Sequence, residues 1–438
     1  MLRNILTLLT GTLFAQAVTI LASPILSRLY NPDDFGVSAL YAALVGAGTI
    51  VATGSLELGI LLPRQERTAY HVAMASVICS FAFGIISFSI VCLLHDEICL
   101  WLNNPYFDVW LYLVPFGIVI SAVSGVIQNW INRHKEYKLM TSVRMAQSMI
   151  TVGLNLILGM RKFITGGLVI GAFVGSLAGV MLLWSHVRQN VHDFVLNRSK
   201  LLGVISRYKD FPRYNMFSQL LNNLSASLPV FMLGIFFSPE VVGLFAMANR
   251  CVSLPMSVIG GSTAQVYIQQ SAELRWQPEK LRNLTESVFS KLLMLSMLPF
   301  TVLFGFGDYI FAFVFGDNWR IAGEYAQILC PWLVFVFIGS PISSLLLVLD
   351  RQKESLIFNV SIFILRMLAF VVGGYYMADA EVTLMLYSGV GFCMWVGLQG
   401  YIQRLAGIPL GKSVREILLY IVVPFVAVWL LRILCFRL

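Results

Sequence analysis

Long apolar runs recur along the whole chain of 438 residues. Each run is close to the roughly 20 residues that a helix needs to cross the hydrocarbon of a bilayer. The chain is 58% hydrophobic and only 12% charged, so a water-soluble fold would have no core large enough for its apolar side chains. Helices satisfy all backbone hydrogen bonds within one segment, as a bilayer requires. The sequence therefore predicts an all-α polytopic membrane protein.

The runs predict thirteen spans, of which twelve belong to the internal repeat described below. They lie near residues 5–27, 37–62, 70–94, 107–131, 141–160, 163–185, 214–237, 241–267, 288–314, 323–349, 355–376, 381–403 and 417–435. The last run is apolar enough to span, but it contains Pro424 and Arg432 and lies outside the repeat. It could lie at the membrane surface instead.

Basic residues are concentrated in alternate loops, which predicts the orientation, because short loops rich in Lys and Arg stay in the cytoplasm. With the N-terminus inside, the cytoplasmic loops include PRQER, NRHKEYK and RSKLLGVISRYKDFPR. The net charge of +8 is explained by this topology, and no nucleic-acid partner is expected. The seven cysteines are scattered, without CxxC or a histidine at ligand spacing, so they predict no metal site.

One short motif occurs twice in the chain. The sequence NPDDFG at 31–36 aligns with SPEVVG at 238–243. Asn or Ser followed by Pro and an acid is typical of a helix start, where the helix dipole favours negative charge. Asp33 and Asp34 are therefore interpreted as helix-capping residues. A metal pair is disfavoured because Asp34 is replaced by Val241 in the second copy.

Six predicted spans separate the two copies, so both halves have the same orientation in the membrane. Parallel repeats of this kind are common in transporters, with the substrate path between the halves. We predict an N-terminal six-helix lobe at 1–187, a cytoplasmic linker at 188–212 and a C-terminal six-helix lobe at 213–404. A C-terminal extension at 405–438 would contain the thirteenth helix.

Polar side chains recur at helical spacing in the first two spans of each half. Gln16 belongs to such a stripe in the first span, Asn222 in the seventh and Asn249 in the eighth. The stripes favour a lined cavity, although small polar residues also pack membrane helices together. Glu57, near the cytoplasmic end of the second span, is a candidate ion-coupling carboxylate. Alternatively, it reaches water or pairs with a loop arginine.

Two arginines are predicted near the bilayer midplane, Arg250 in the eighth span and Arg366 in the eleventh. Such a residue costs at least about 2.5 kcal/mol, so it needs an acid, backbone carbonyls, water or an anionic ligand. Both are candidate substrate-binding residues, as is Arg28 at the outer end of the first span. The span of Arg366 has no polar stripe, which leaves a structural role open for it.

Four segments carry a family resemblance. They are GTLFAQAVTILASPILSRLYNPDDFGVSALYAA, LELGILLP, FPRYNMFSQLLNNLSASLPVFMLGIFFSPEVVGLFAMANRCVSLPMSVIG and FGDNWRIAGEYAQILCPWLVFVFIGSPISSLLLVLDRQ. Together they resemble the polysaccharide-biosynthesis flippases that export O-antigen units, over nearly the whole chain to about residue 404. The resemblance implies the multidrug/oligosaccharidyl-lipid/polysaccharide (MOP) exporter fold, in which two six-helix lobes related by a pseudo-twofold axis form a V-shaped cavity.

The resemblance also implies the function. The substrate would be an undecaprenyl-pyrophosphate-linked oligosaccharide, moved between the leaflets of the bacterial inner membrane by alternating access. A proton or sodium ion is the candidate coupling ion, and other polysaccharide assembly proteins are candidate partners. No catalytic residue, cofactor or metal is expected.

Two other functions remain open at this stage. A drug or cation exporter of the same fold would need acids at mid-membrane, where this chain has arginines. An oligosaccharide polymerase or glycosyltransferase would present catalytic residues on a large outer loop. The longest outer loop here, HDEICLWLNNPY, is short, and its residues His95, Asp96 and Glu97 are interpreted as solvated loop residues.

Overall fold

A computed structural model describes residues 2–102, 105–163, 166–191 and 197–436, and these residues form helices and no strand. By packing, the chain divides into two compact units, Met1–Gly243 (unit 1) and Leu244–Leu438 (unit 2). The division into lobes and a linker drawn from the repeat stays a prediction.

Unit 1 contains nine helices among the described residues, followed by the first turns of a tenth. They are α1 (Leu2–Leu29), α2 (Pro32–Thr53), α3 (Glu66–Leu102), α4 (Asp108–Leu111), α5 (Val114–Arg133), α6 (Tyr137–Met160), α7 (Gly167–Val191), α8 (Arg198–Arg207) and α9 (Met216–Phe236). Two buried apolar clusters hold the unit together. One, around Trp130 and Ile60, joins α3, α5 and α8, and the other, around Tyr41 and Ile118, joins α2 and α5.

Unit 2 begins within α10 and is built around α12, α13 and α16, with α13 the most buried of them. Its helices are α10 (Pro239–Pro255), α11 (Gly261–Glu273), α12 (Pro278–Phe315), α13 (Arg320–Ser343), α14 (Leu345–Val348), α15 (Gln352–Val371), α16 (Ala380–Leu405), α17 (Leu410–Ile417) and α18 (Val423–Phe436).

Eleven helical segments of the described residues are long and apolar enough to cross a bilayer, and each corresponds to one of the thirteen predicted spans. The chain is a multi-pass membrane protein. The first predicted span corresponds to a shorter apolar helix, Leu13–Leu29 within α1. The eighth is interrupted, because α10 ends at Pro255 and a π-helical turn, Met256–Gly260, precedes α11. Proline supplies no N–H for the helix ladder, which explains the break.

The second predicted span was drawn too long at its end. Helix α2 stops at Thr53, and the next two residues, Gly54 and Ser55, have left-handed φ angles of 58° and 57°. A 3₁₀ helix, Leu56–Leu61, follows. Glu57 therefore lies beyond the end of the span, which corrects its predicted position inside the second span.

The predicted outer loop after the third span begins with a second helical segment. Helix α3 continues to Leu102 across a kink at Leu94 (φ −118°, ψ 23°), which is where the third span was predicted to end. His95, Asp96 and Glu97 are therefore helical and do not belong to a loop. The run from Ile98 to Leu102 is apolar enough to carry the helix on.

The two copies of the repeated turn form helix starts, as predicted. The backbone N–H of Asn31 donates to the Asp34 carboxylate at 3.0 Å. In the second copy, the N–H of Val241 donates to the Ser238 hydroxyl at 3.4 Å. Pro32 and Pro239 are the first residues of their helices. The capping role of Asp34 is confirmed.

Within unit 1 the two turns also pack against each other reciprocally. A Cβ added to Gly36 would overlap the carbonyl oxygen of Pro239, and a Cβ added to Gly243 would overlap that of Pro32. The sequence repeat aligns Gly36 with Gly243 and Pro32 with Pro239, so the two contacts are equivalent. The glycines are therefore required by a close approach of the two helix starts.

The last helix packs along α12 inside unit 2. Lys412 pairs with Glu286, Ser290 donates to Glu416 at 2.7 Å, and the Phe304 and Phe425 rings stack at 4.5 Å. Further along, Arg432 binds the Asp308 carboxylate at 2.9 Å and the Gly305 carbonyl oxygen at 3.3 Å. From residue 286 to residue 308 a helix rises about 33 Å, close to the thickness of the hydrocarbon. The thirteenth segment therefore packs along α12 over a length that could cross the hydrocarbon, and its crossing of the membrane stays a prediction.

Candidate functional site

Arg366, on α15, packs against two adjacent aromatic rings of unit 2. Its guanidinium carbon is 4.5 Å from the centroid of the Trp332 ring on α13 and 4.9 Å from that of Tyr387 on α16. Both aromatic residues are buried, with 6% and 4% of their surface exposed. Cation–π contacts of this kind contribute about 2 kcal/mol when the groups are desolvated. The charge of the guanidinium is therefore stabilised by the two rings without an acid.

The edge of the same guanidinium is not satisfied. The Nε and Nη2 atoms of Arg366 are buried and have no hydrogen-bond partner in the described part of the chain. Leaving a buried donor unpaired costs about 1–3 kcal/mol, and more for a charged group. These two nitrogens form the fork with which arginine binds the two oxygens of a phosphate or carboxylate. Arg366 can therefore accept an anionic group that reaches this edge.

The aromatic cluster that holds Arg366 extends to α10. Tyr387 contacts Phe370 on α15 at 5.0 Å between centroids and Phe245 on α10 at 6.5 Å. A Cβ on Gly391 would lie 2.7 Å from the indole of Trp332, so the ring position depends on this glycine. The cluster connects the packing around Arg366 to the helix that carries Asn249 and Arg250.

Arg250 and Asn249 are half-buried on α10. The Asn249 side-chain oxygen accepts a hydrogen bond from Ser253 at 3.5 Å. No acid lies within ion-pair distance of Arg250 among the described residues. This absence is consistent with the prediction that Arg250 binds an anionic ligand. The structure thus places three candidates, Asn249, Arg250 and Arg366, in unit 2.

The other four candidates lie in unit 1. On α1, Gln16 is half-buried, and Arg28, in the last turn, is exposed. On α9, Asn222 is exposed, while its neighbour Asn223 packs against Gly46 of α2 and has a buried, unpaired side-chain oxygen. Sequence periodicity did not separate these two asparagines, because adjacent residues differ by only 100° around a helix.

Part of the polar stripe on α1 packs against a neighbouring helix. The Ser148 hydroxyl of α6 donates to the Ala15 carbonyl oxygen at 3.0 Å and lies 3.4 Å from the Thr19 hydroxyl. Thr19 and Ser23 also bond the backbone of their own helix, at 2.8 Å and 2.7 Å. For Thr19 the helix-packing alternative is therefore correct.

Glu57 is half-buried in the 3₁₀ helix that follows α2. One carboxylate oxygen, Oε2, is buried with no hydrogen-bond partner in the described residues. The carboxylate also interacts with the Thr53 hydroxyl. Burial raises its pKa above the ordinary value of 4.5, and the Thr53 hydroxyl only partly offsets this effect. The expected alternative of an arginine partner is not seen among the described residues. A carboxylate that is held in this way can take up a proton.

A cavity of about 600 Å³ in unit 2 was not foreseen from the sequence. Its polar lining consists of Glu324, Gln327, Glu381, Ser388 and Arg432. Gln327 and Arg432 both bind Asp308, at 2.9 Å each. The sequence offered no signal for this group, because its members lie on three separate helices, α13, α16 and α18.

The sequence model of the polysaccharide biosynthesis protein family matches residues 25–323, more than half of the chain. The chain belongs to this family. Its relatives include the lipopolysaccharide biosynthesis protein WzxC of Escherichia coli (strain K12), 21% identical over 409 residues, which are 92% of this chain and 80% of WzxC. The teichuronic acid biosynthesis protein TuaB of Bacillus subtilis (strain 168) is 20% identical over 258 residues, 58% of this chain. That match spans 52%, about half, of the length of TuaB.

Two solved structures define the fold of this family member. The lipid II flippase MurJ in an inward closed conformation superposes with a TM-score of 0.71, at 12% identity, over 97% of this chain and 96% of MurJ. An inward-facing multidrug resistance MATE family transporter of the MOP superfamily superposes with a TM-score of 0.68, at 14% identity, over 90% of this chain and 94% of the transporter. The two-lobe MOP exporter fold predicted from the sequence is therefore confirmed.

Proposed function

We propose that this protein translocates a lipid-linked oligosaccharide across the bacterial inner membrane by alternating access. The substrate would be an undecaprenyl-pyrophosphate-linked repeat unit of O-antigen type, moved from the cytoplasmic to the periplasmic leaflet. Family membership and the fold support a transporter of this class. The observation that carries the proposal is the unpaired guanidinium edge of Arg366, since a pyrophosphate offers the oxygens that this edge lacks.

Each candidate residue has a role in this proposal. Arg250 and Arg366 would bind the pyrophosphate, whereas Gln16, Asn222 and Asn249 would hydrogen-bond to the sugars. Arg28, exposed near the outer end of α1, would meet the head group as it leaves. Glu57 would carry the coupling proton, because its buried carboxylate holds a proton more readily than a solvated one. Sodium is the alternative coupling ion, and other polysaccharide assembly proteins are proposed as partners.

The proposal is tested by deleting the gene and examining the lipid-linked oligosaccharide that accumulates. A flippase deletion should leave complete repeat units facing the cytoplasm, because assembly precedes translocation. A polymerase deletion would leave single units on the outer acceptor, and a transferase deletion would leave units short of a sugar. The measurement is the size and sidedness of the accumulated unit, and a complete unit already exposed to the periplasm would refute the proposal.

Arg250 provides a second test at the level of one residue. Arg250→Ala should abolish surface glycan while the protein is inserted at normal levels. Arg250→Lys should restore part of the activity, because a point charge replaces a bidentate fork. Arg320→Ala is the matched control, since Arg320 is exposed at the outer end of α13. Wild-type glycan levels in Arg250→Ala would assign a structural role to Arg250.

A drug or cation exporter is the second candidate function, because the MATE structure shares the fold. Such a protein needs acids in its substrate path, and the cavity with Glu324 and Glu381 offers two. Drug sensitivity of the deletion strain, with surface glycan intact, would favour this function.

A further inference from the structure

Three side chains that can bind a metal ion lie together at the end of α3. His95 and Cys99 are one helical turn apart on α3, and Asp108 is the first residue of α4. His95 Nε2 is 2.9 Å from Asp108 Oδ1. Cys99 Sγ is 3.8 Å from His95 Nε2 and 3.9 Å from Asp108 Oδ1. Each of the three atoms can serve as a ligand of the same ion.

The triangle formed by these atoms has the size of one face of a tetrahedral zinc site. With Zn–N and Zn–O bonds of about 2.0–2.1 Å and Zn–S of about 2.3 Å, tetrahedral angles place N and O about 3.3 Å apart and S about 3.5 Å from each. The three observed separations all lie within about 0.4 Å of these values. An ion can enter with only small side-chain adjustments.

The imidazole of His95 is already oriented as a metal ligand. Its other nitrogen, Nδ1, is 3.1 Å from Asp96 Oδ1. The ring stacks on Tyr112 at 4.8 Å and 13° between planes. Ligating histidines commonly give their second nitrogen to a carboxylate, which fixes the tautomer and aims the first nitrogen at the metal. An ion pair of protonated His95 with its two acids is the alternative explanation of these contacts, in which the Cys99 thiol only donates a hydrogen bond to Asp108.

We propose that His95, Cys99 and Asp108 bind one divalent cation of the zinc class, with water as the fourth ligand. Nitrogen, thiolate and carboxylate donors are the ligands that zinc takes in proteins, whereas magnesium and calcium prefer oxygen alone. Binding releases the thiol proton of Cys99 to solvent and forms an S–metal bond. The ion would fasten the end of α3 to the start of α4. The spacing of His95 and Cys99, four residues apart on one helix, contradicts the prediction from the sequence that no cysteine has a histidine at ligand spacing.

Cobalt provides a spectroscopic test on the full chain purified in detergent. Co²⁺ is added to the metal-free protein, and thiolate-to-cobalt charge-transfer absorption is recorded against concentration. Wild type and Cys92→Ser should give the band with one ion per chain, because Cys92 lies on α3 but outside the cluster. Cys99→Ser should lose the band, and Asp96→Asn should weaken Zn²⁺ competition about 10- to 100-fold. A band of equal strength in Cys99→Ser, or no saturable band in wild type, would refute the site.

A second test needs no substitution, so a folding defect cannot obscure it. The wild-type protein is treated with a maleimide with and without Zn²⁺, and labelling of each cysteine is read by peptide mass spectrometry. Zn²⁺ should slow labelling of Cys99 at least tenfold and leave that of Cys92, which is exposed, unchanged. Equal slowing of both cysteines, or of neither, would leave the cluster as an ion pair without a metal.

Discussion

At the scale of single residues, the structure gives the two arginines different surroundings. Arg366 packs against two aromatic rings and has two unpaired nitrogens, and Arg250 is half-buried without an acid among the described residues. The depth of each residue could be estimated from helical rise. The aromatic contacts of Arg366 could not be predicted, because Trp332 and Tyr387 come from other helices and follow no periodic pattern with Arg366.

Replacing Arg366 separates a substrate role from a structural one. Arg366→Ala should lower surface glycan by about 10- to 100-fold, the effect of losing a charged hydrogen-bond pair of about 1.5–3 kcal/mol. Arg366→Lys should retain an intermediate level. Arg366→Met should raise the melting temperature in detergent, because a buried unpaired charge is removed. A lower melting temperature for Arg366→Met would instead assign the residue to the packing of unit 2.

Glu57 should make stability depend on pH. Its pKa is raised in the folded chain, so the folded state holds the proton more tightly than the unfolded state. Above pH 4.5 the unfolded chain ionises first, and stability falls until the pH passes the folded pKa. Melting curves of wild type should therefore decline over this window, and those of Glu57→Gln should be flatter. Identical slopes for the two proteins would show that Glu57 is solvated.

At the scale of elements, the sequence predicted where helices start better than where they stop. The two capped starts, at Pro32 and Pro239, follow from local chemistry that a few residues contain. The end of α2 depends on two consecutive left-handed residues, and one of them, Ser55, is not a glycine. Helix α3 continues past its polar residues because those residues disfavour a helix only weakly. Local sequence patterns contain the capping residues that start a helix, but not the backbone conformation that ends one.

The reciprocal turn contact gives a prediction at this scale. Gly36→Ala should destabilise the protein, because its methyl group would overlap the Pro239 carbonyl oxygen and push the two helix starts apart. Gly125→Ala in α5 is the matched control, since no atom lies within 4 Å of its added Cβ. The control should gain about 0.5–1 kcal/mol from helix propensity. Thermal melting of both variants measures the difference, and equal shifts would rule out the close approach.

At the scale of the whole molecule, the last helix decides on which side of the membrane the C-terminus is predicted to lie. If α18 spans and the N-terminus is cytoplasmic, thirteen crossings predict a periplasmic C-terminus. The sequence left this open, because Pro424 and Arg432 are unusual in a span. The structure supplies partners that lie far away in the chain, with Asp308 binding Arg432. Such pairing makes a charged residue acceptable in a membrane helix.

Reporter fusions test this topology. An alkaline phosphatase fused after Leu438 should be active, as in the periplasm, whereas one fused after Arg404 should be inactive. Arg432→Ala should reduce the activity of the terminal fusion, because unpaired Asp308 would no longer hold α18 in place. An inactive terminal fusion in the otherwise wild-type chain would place α18 on the cytoplasmic surface.

The meeting of Gly36 and Gly243 also bears on how such a chain can evolve. In a chain built from a repeat, each copy is normally free to change independently of the other. At these turns each copy forms the surface against which the other packs, so a larger residue at either glycine would displace both turns. Selection therefore acts on the two turns as one unit. The two turns can therefore keep a shared pattern because they touch.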